Sequence, residues 1–274
     1  MDKFETYRAL HVPGDPFILA NVWDVGSARM LAGLGARALA TSSAALAFVQ
    51  GSRDMGAISR DDALAHAEQI VAATDLPVQG DFENGFGDDP DTVAETVRLA
   101  AEVGLAGICV EDISYPSNQP YPAELATERM RAGAAAARAL RRDFVFVARA
   151  DGVLNGVYGM EEALARVASF DAAGADALYV PLPPTLQDLA RICAATTKPV
   201  NALAAGAFTA ATLSDFAKAG VARVSLGAAL ARVTHRAILD AAQAMLNAGD
   251  FTPLAHSVSG AQIQALIDKG VPRG

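Results

Sequence analysis

The chain has 274 residues, 52% of them apolar, with 22 basic against 31 acidic side chains and a formal net charge of −9. That composition supports an extensive core in one large domain or two small ones, and the acidic balance without any basic block excludes nucleic acid as a partner. No run of 18 apolar residues occurs and the stretch MDKFETYRALHVPGDPF lacks a long apolar segment, so the expectation is a cytoplasmic protein with no membrane partner.

Along the chain, short apolar runs alternate with alanine-rich amphipathic stretches. Predicted strands fall at 17–22, 36–41, 77–83, 107–112, 144–151, 177–181, 199–204 and 222–227, and predicted helices near 25–34, 61–73, 91–103, 123–141, 160–173, 185–195, 209–219 and 229–247. The strands are nearly continuous in apolar character, as parallel strands covered on both faces are. Gly35, Gly104, Gly174 and Gly220 each follow a helical stretch and precede a strand, where a left-handed residue closes the helix. Eight such units predict an α/β fold of the (β/α)8 TIM barrel type. An open doubly wound sheet gives no reason for eight units, and the early glycine fingerprint of a dinucleotide site is absent. Residues 1–274 read as a single barrel domain, with 250–274 as a C-terminal extension. Its further amphipathic helix at about 259–268 would pack across the barrel or against a neighbouring subunit. Cys109, in a strand, and Cys193, in a helix, read as buried free thiols of a reducing compartment.

The chemistry collects at strand ends. In VQGDFENGFG, Asp81 and Glu83 occupy positions i and i+2, which share one side of an extended strand while Phe82 faces away. GICVEDISYP ends in Glu111 and Asp112, and FVFVARADG in Arg149 and Asp151. The carboxyl ends of barrel strands form the active face, so hard oxygen donors there suit magnesium. The arginine fork suits a substrate carboxylate or an ion pair with Glu111 or Asp151. Asp151 can orient Arg149 without touching substrate. In TSSAALAF, Ser42, Ser43 and Ala44 offer hydroxyl and backbone donors to an anionic oxygen, or Ser42 simply caps a helix. Asp54 is placed to reach the metal through water, while Ser59 with Asp62 reads as a helix start. Asn201 in KPVNALAAG offers an amide to a carboxylate or to the backbone. None of His11, His66, His235 and His256 falls at a predicted carboxyl-terminal strand end, which argues against a zinc cluster or a Ser-His-Asp triad.

Taken together, GDFENGFG, GICVEDISYP and VARAD, in that order and spacing, resemble the isocitrate lyase and phosphoenolpyruvate mutase superfamily. The similarity runs from NVWDVGSARMLAGLGARALATSSA to ARVSLGAALAR and is nearest to the short bacterial phosphonomutase-like or methylisocitrate-lyase-like branch. The resemblance implies a magnesium site, with manganese as a substitute. Asp81 would bind the metal directly, and Glu83, Glu111 and Asp54 would hold its waters. It further implies that Arg149 contacts substrate and stabilises an enolate, that Ser42 and Ser43 bind an α-keto acid, that Asn201 belongs to the substrate site, and that the eighth helix is exchanged between subunits of a homodimer or homotetramer. The chain also departs from the family. It lacks the lysine-lysine-cysteine-glycine-histidine loop of the isocitrate lyases. Ser117 stands where phosphonomutases carry a lysine, and Pro181 where they carry a histidine. Phosphoryl migration and orthodox isocitrate cleavage are therefore disfavoured.

The expected activity is magnesium-dependent cleavage of a carbon–carbon bond in a small α-keto or 2-hydroxy dicarboxylic acid through an enolpyruvate-like intermediate. Oxaloacetate decarboxylation is its simplest case, with Tyr115 or a metal-bound water returning the proton. The alternatives are lysis of a substituted malate or methylisocitrate-like acid, and a non-catalytic metabolite-binding barrel.

Overall fold

The computed structural model describes residues 2–272. The chain opens with helix α1 (Lys3–Ala9), whose first turn is closed by a reciprocal Asp2–Glu5 capping box. Strands β1 (Phe17–Asn21), β2 (Ala38–Ala40), β3 (Val78–Asp81) and β4 (Gly107–Glu111) follow. A short antiparallel hairpin, β5 (Ile113–Ser114) and β6 (Gln119–Pro120), comes next, and β7 (Val145–Arg149), β8 (Ala177–Tyr179), β9 (Val200–Leu203) and β10 (Arg223–Ser225) complete the set. The eight long-range strands close in the order β1-β10-β9-β8-β7-β4-β3-β2, every pairing parallel. This is the expected (β/α)8 barrel, and all eight predicted strands are present, most of them shorter by a few residues.

Around it lie α2 (Val25–Gly33), α3 (Ser43–Gln50), α4 (Arg60–Ala73), α5 (Pro90–Glu102), α6 (Ala123–Ala139), α7 (Gly152–Asn155), α8 (Met160–Ala172), α9 (Leu186–Ala194), α10 (Leu213–Lys218), α11 (Ala229–Ala248) and α12 (Gly260–Gly270). Helices α1, α3 and α7 carry too short a pattern to have been predicted. The stretch 209–219 divides into a 3-10 turn at Gly206–Ala210 and α10. Gly35, Gly104, Gly174 and Gly220 all take positive φ, between +89° and +98°, as the helix-closing reading requires. Ser59 caps α4 by accepting from Asp62 N. Helix α12 packs on α2 so closely that a Cβ at Gly33 would lie 2.3 Å from the Leu266 carbonyl oxygen.

Side-chain alternation separates two cores. Ile108, Val110, Phe146 and Ala148 face the helices, while Leu19, Cys109, Val145, Val147 and Tyr179 fill the barrel interior with Tyr7 and Leu10, from α1 and its C-cap. No helix among the described residues is long and apolar enough to cross a membrane.

Candidate active site

The same alternation aims the last inward residue of each strand at the barrel mouth. Counting by two along β4 gives Gly107, Cys109, Glu111; along β7, Val145, Val147, Arg149; along β3, Gln79, Asp81. Register places Glu111 beside Arg149, and Arg149 beside Tyr179. Arg149, buried, is held by three carboxylates. Its Nη1 meets Asp81 Oδ1 at 2.8 Å and Glu111 Oε1 at 3.0 Å, and Asp151 takes Nε at 3.0 Å and Nη2 at 2.7 Å in a parallel fork. Its guanidinium carbon lies 5.0 Å from the centre of the Tyr179 ring. The second Asp81 oxygen accepts from Ser43 N at 3.0 Å and Ser43 Oγ at 3.1 Å, and Cys109 Sγ donates to the first at 3.3 Å. The Tyr115 hydroxyl donates to the second Glu111 oxygen.

These groups line a cavity of about 340 Å³ that also contains Ser42, Ala44, Asp54 and Asn201. Ser42, Ser43, Ala44, Asp54, Asp81, Glu111, Tyr115, Arg149 and Asn201 are thus brought together. Ser42 Oγ caps α3 by accepting from Ala45 N at 3.3 Å, the cap role foreseen as its alternative. Asn201 Oδ1 accepts from Arg223 Nε at 2.8 Å and its Nδ2 donates to Ser225 Oγ at 2.9 Å, so its amide bonds side chains and not the backbone.

Asp81 and Glu83 do not leave one strand together, contrary to the alternation pattern. Strand β3 ends at Asp81, and Glu83 sits in a left-handed turn at φ +44°. The Phe82 ring folds back into the space a Cβ on Gly80 would need. Glu83 accepts from Gly56 N at 3.1 Å and lines a neighbouring groove, sharing with Asp81 only a small internal cavity. Asp112 turns away from the mouth. Fully buried, it takes the Tyr158 hydroxyl at 2.6 Å, Arg166 Nη1 at 3.1 Å and the Asp151 N–H at 2.8 Å, and so braces the turn behind Arg149. Ser117 is exposed in the β5–β6 loop and Pro181 follows β8; neither lines the cavity.

Negative charge is in excess here. Burial, with the neighbouring Asp81 and Asp54, pushes Glu83 up to about 7. Burial also raises Asp54, Glu111 and Asp151 above the usual carboxylate range, against the pull of Arg149. Burial and the Asp81 charge keep the Cys109 thiol protonated. Among the described residues no three His, Cys, Asp or Glu side chains form a ready metal cage, and Arg149 Nη1 bonds both Asp81 and Glu111. The donor set nevertheless fits magnesium in kind. It consists of hard oxygens and outnumbers its arginine, and magnesium keeps several waters and needs only one or two carboxylates. Sequence reasoning missed Gln79, Cys109, Tyr179, Arg223 and Ser225, which line the same cavity. Counting back by two from each strand end finds Gln79 and Cys109, and a charged residue inside the strand ARVSLG marks Arg223.

The family profile described as phosphoenolpyruvate phosphomutase matches residues 7–246. The 2-methylisocitrate lyase of Shewanella oneidensis is 30% identical over 223 residues, 78% of this chain and 75% of that protein. The oxaloacetate decarboxylase of Paraburkholderia xenovorans is 30% identical over 202 residues, 70% of this chain and 65% of that protein. A crystal structure from Burkholderia cenocepacia J2315, of a protein assigned only as a lyase or mutase, superposes with a TM-score of 0.91 at 42% identity, covering 96% of this chain and 94% of the other.

Proposed function

The chain belongs to the phosphoenolpyruvate phosphomutase family, an enzyme family of the isocitrate lyase/phosphoenolpyruvate mutase superfamily, and from that premise we propose that it is a magnesium-dependent lyase of a small α-keto or 2-hydroxy dicarboxylic acid. The observation that carries the reading is the Arg149 guanidinium, buried and fixed by Asp81, Glu111 and Asp151 in a cavity edged by Ser42, Ser43 and Ala44. Donors fixed in advance around a cavity stabilise negative charge as it develops and need no reorganisation at the moment of reaction. Arg149 is the group that faces an enolate oxygen, and the N–H and hydroxyl groups of Ser42 to Ala44 take the substrate carboxylate. Asp81 would bind the metal, with Glu83, Glu111 and Asp54 as its supporting acids, and manganese would substitute for magnesium. The metal, when bound, supplies Lewis-acid polarisation of the keto or hydroxyl oxygen. The Tyr115 hydroxyl donates to Glu111, and burial with the Glu111 charge holds its proton tightly. It is the group that returns a proton to the enolate carbon, a base strong enough to take it from a phenol, and the phenolate left behind regains its proton from solvent.

Oxaloacetate decarboxylation is the smallest reaction of this type and needs no base to start it. The relatives named as oxaloacetate decarboxylase and 2-methylisocitrate lyase support the class of bond broken. Ser117 and Pro181 supply no cation, which argues against phosphoryl migration. The test is calorimetric titration with oxalate, a planar mimic of the pyruvate enolate, in magnesium and again in EDTA, followed by a turnover screen of keto and hydroxy acids. Absence of oxalate binding in both conditions refutes the reading and favours a non-catalytic barrel.

The same proposal includes a homodimer or homotetramer built by exchange of α11. Of its 20 residues only Ala231 is buried, and Val233, Ile238, Leu239 and Leu246 stand exposed. An amphipathic helix left so bare in one chain buries its apolar face against another copy.

A further inference from the structure

Toward the amino-terminal ends of the strands, the cavity ends on Arg223 and Gln79, both lining it and both almost fully buried. Arg223 is the first residue of β10 and points inward. Its Nε donates to Asn201 Oδ1 at 2.8 Å, and its Nη1 reaches Gln79 Oε1 at 2.6 Å, Tyr7 OH at 3.0 Å and His11 Nε2 at 3.1 Å. None of these partners is a carboxylate. Burial, with the Arg223 charge, pushes His11 down to about 3, so the cluster carries one positive charge and no negative one. Arg149 is the opposite case, one guanidinium held by three acids.

Both residues line the cavity and keep donors outside the bonds just named. Arg223 Nη2 takes none of the bonds just named. Gln79 Oε1 receives both Tyr7 OH, at 2.7 Å, and Arg223 Nη1. A guanidinium only donates, so the amide oxygen must face it and Nε2 must point elsewhere. The floor therefore offers N–H donors and a positive charge, while its acceptors are consumed internally. A buried charge without a counter-ion costs free energy that an anionic ligand recovers.

We propose that Arg223 and Gln79 form an anion subsite on the cavity floor that takes a carboxylate of the substrate remote from the bond that breaks. Its assignment to a substrate rests on the lyase reading above. A carboxylate that departs as CO2 gives up its charge, so a guanidinium holding it would stabilise the ground state more than the transition state. The subsite thus selects acids whose second carboxylate is retained.

The experiment is calorimetry on the full chain in magnesium with malate and with 2-hydroxybutyrate, which share a four-carbon 2-hydroxy acid skeleton but end in a carboxylate and a methyl. The wild type is expected to prefer malate by roughly 10- to 100-fold, the range of a charge-assisted hydrogen bond. Arg223→Met should reduce the preference to less than about threefold and Arg223→Lys should restore part of it. Should Arg223→Met fail to fold, Gln79→Met, which keeps the guanidinium, should reduce the preference several-fold. Equal affinity for both acids in the wild type, or an unaltered preference in a folded Arg223→Met, overturns the subsite. Oxalate titration of the wild type separates the two readings. Oxalate binding without a malate preference removes only the floor. An Arg223-dependent malate preference without oxalate binding removes the lyase reading and leaves the floor standing.

Discussion

Asp151 grips Arg149 through two parallel bonds, 3.0 Å from Nε and 2.7 Å from Nη2, although the two residues are separated by a single alanine. The turn from β7 into α7 brings the carboxylate back over the strand end, and the Asp151 N–H is itself held by Asp112. One edge of the guanidinium is thereby fixed, and Nη1 is left to face Asp81 and Glu111. Asp151→Asn keeps the shape but sets an amide N–H₂ against an arginine donor. Removing one partner of a buried pair costs about 3–5 kcal/mol. Urea unfolding should show a loss near that range, and any residual turnover should fall at least about tenfold because the fork no longer aims Arg149. Unchanged stability would refute the assigned role.

Asp81 links the arginine, the Ser43 donors and the proposed metal. Asp81→Ala should abolish metal-dependent turnover, a loss of at least about 100-fold, and should remove the difference between oxalate binding in magnesium and in EDTA. Kinetics identical to the wild type would sink the metal assignment.

Metal-free stability should depend on pH through the buried acids. Glu83 is pushed from its ordinary 4.5 to about 7, and Asp112 from 3.8 to about 6, by burial first. Such groups bind more protons folded than unfolded, so their contribution is complete below the unfolded values and is lost as pH rises through the folded ones. Unfolding free energy in EDTA should therefore decline between about pH 4.5 and 7, with Glu83 contributing on the order of 2 kcal/mol. Glu83→Gln should flatten that decline. Equal slopes for the two proteins, measured by chemical unfolding across this range, would show that Glu83 does not titrate there.

Charges on the exposed apolar face of α11 should break the assembly. Ile238→Asp combined with Leu246→Glu is expected to shift the protein to a monomer in analytical ultracentrifugation at micromolar concentration, with little loss of barrel stability. A variant that sediments as the wild type would place the interface elsewhere.

Strand positions were legible because buried parallel strands leave short, almost uninterrupted apolar runs, and the glycines that close the helices mark each return. The mouth residues Asp81, Glu111 and Arg149 were legible because polar side chains ending such runs have few structural uses. The reading of Glu83 as a strand partner of Asp81 was mistaken, and its side chain lines a neighbouring groove. Period-two reasoning extends a strand that stops at Asp81, and a left-handed turn there redirects the side chain. Ser42 and Tyr115 were located, but their bonds to Ala45 N and Glu111 were not foreseeable from spacing.

The sequence by itself determined the eight repeating strand–helix units and the set of acids and arginine at the strand ends, because alternation and helix-closing glycine are local properties of the chain. Tertiary structure decided which acids hold Arg149, that Asp112 braces Arg166 and Tyr158 instead of facing the cavity, and that Tyr7, Gln79 and Arg223 meet across the barrel floor. Tyr7 and Arg223 are 216 positions apart. Their contact depends on ring closure and strand register, a sum over the whole barrel that no local pattern encodes.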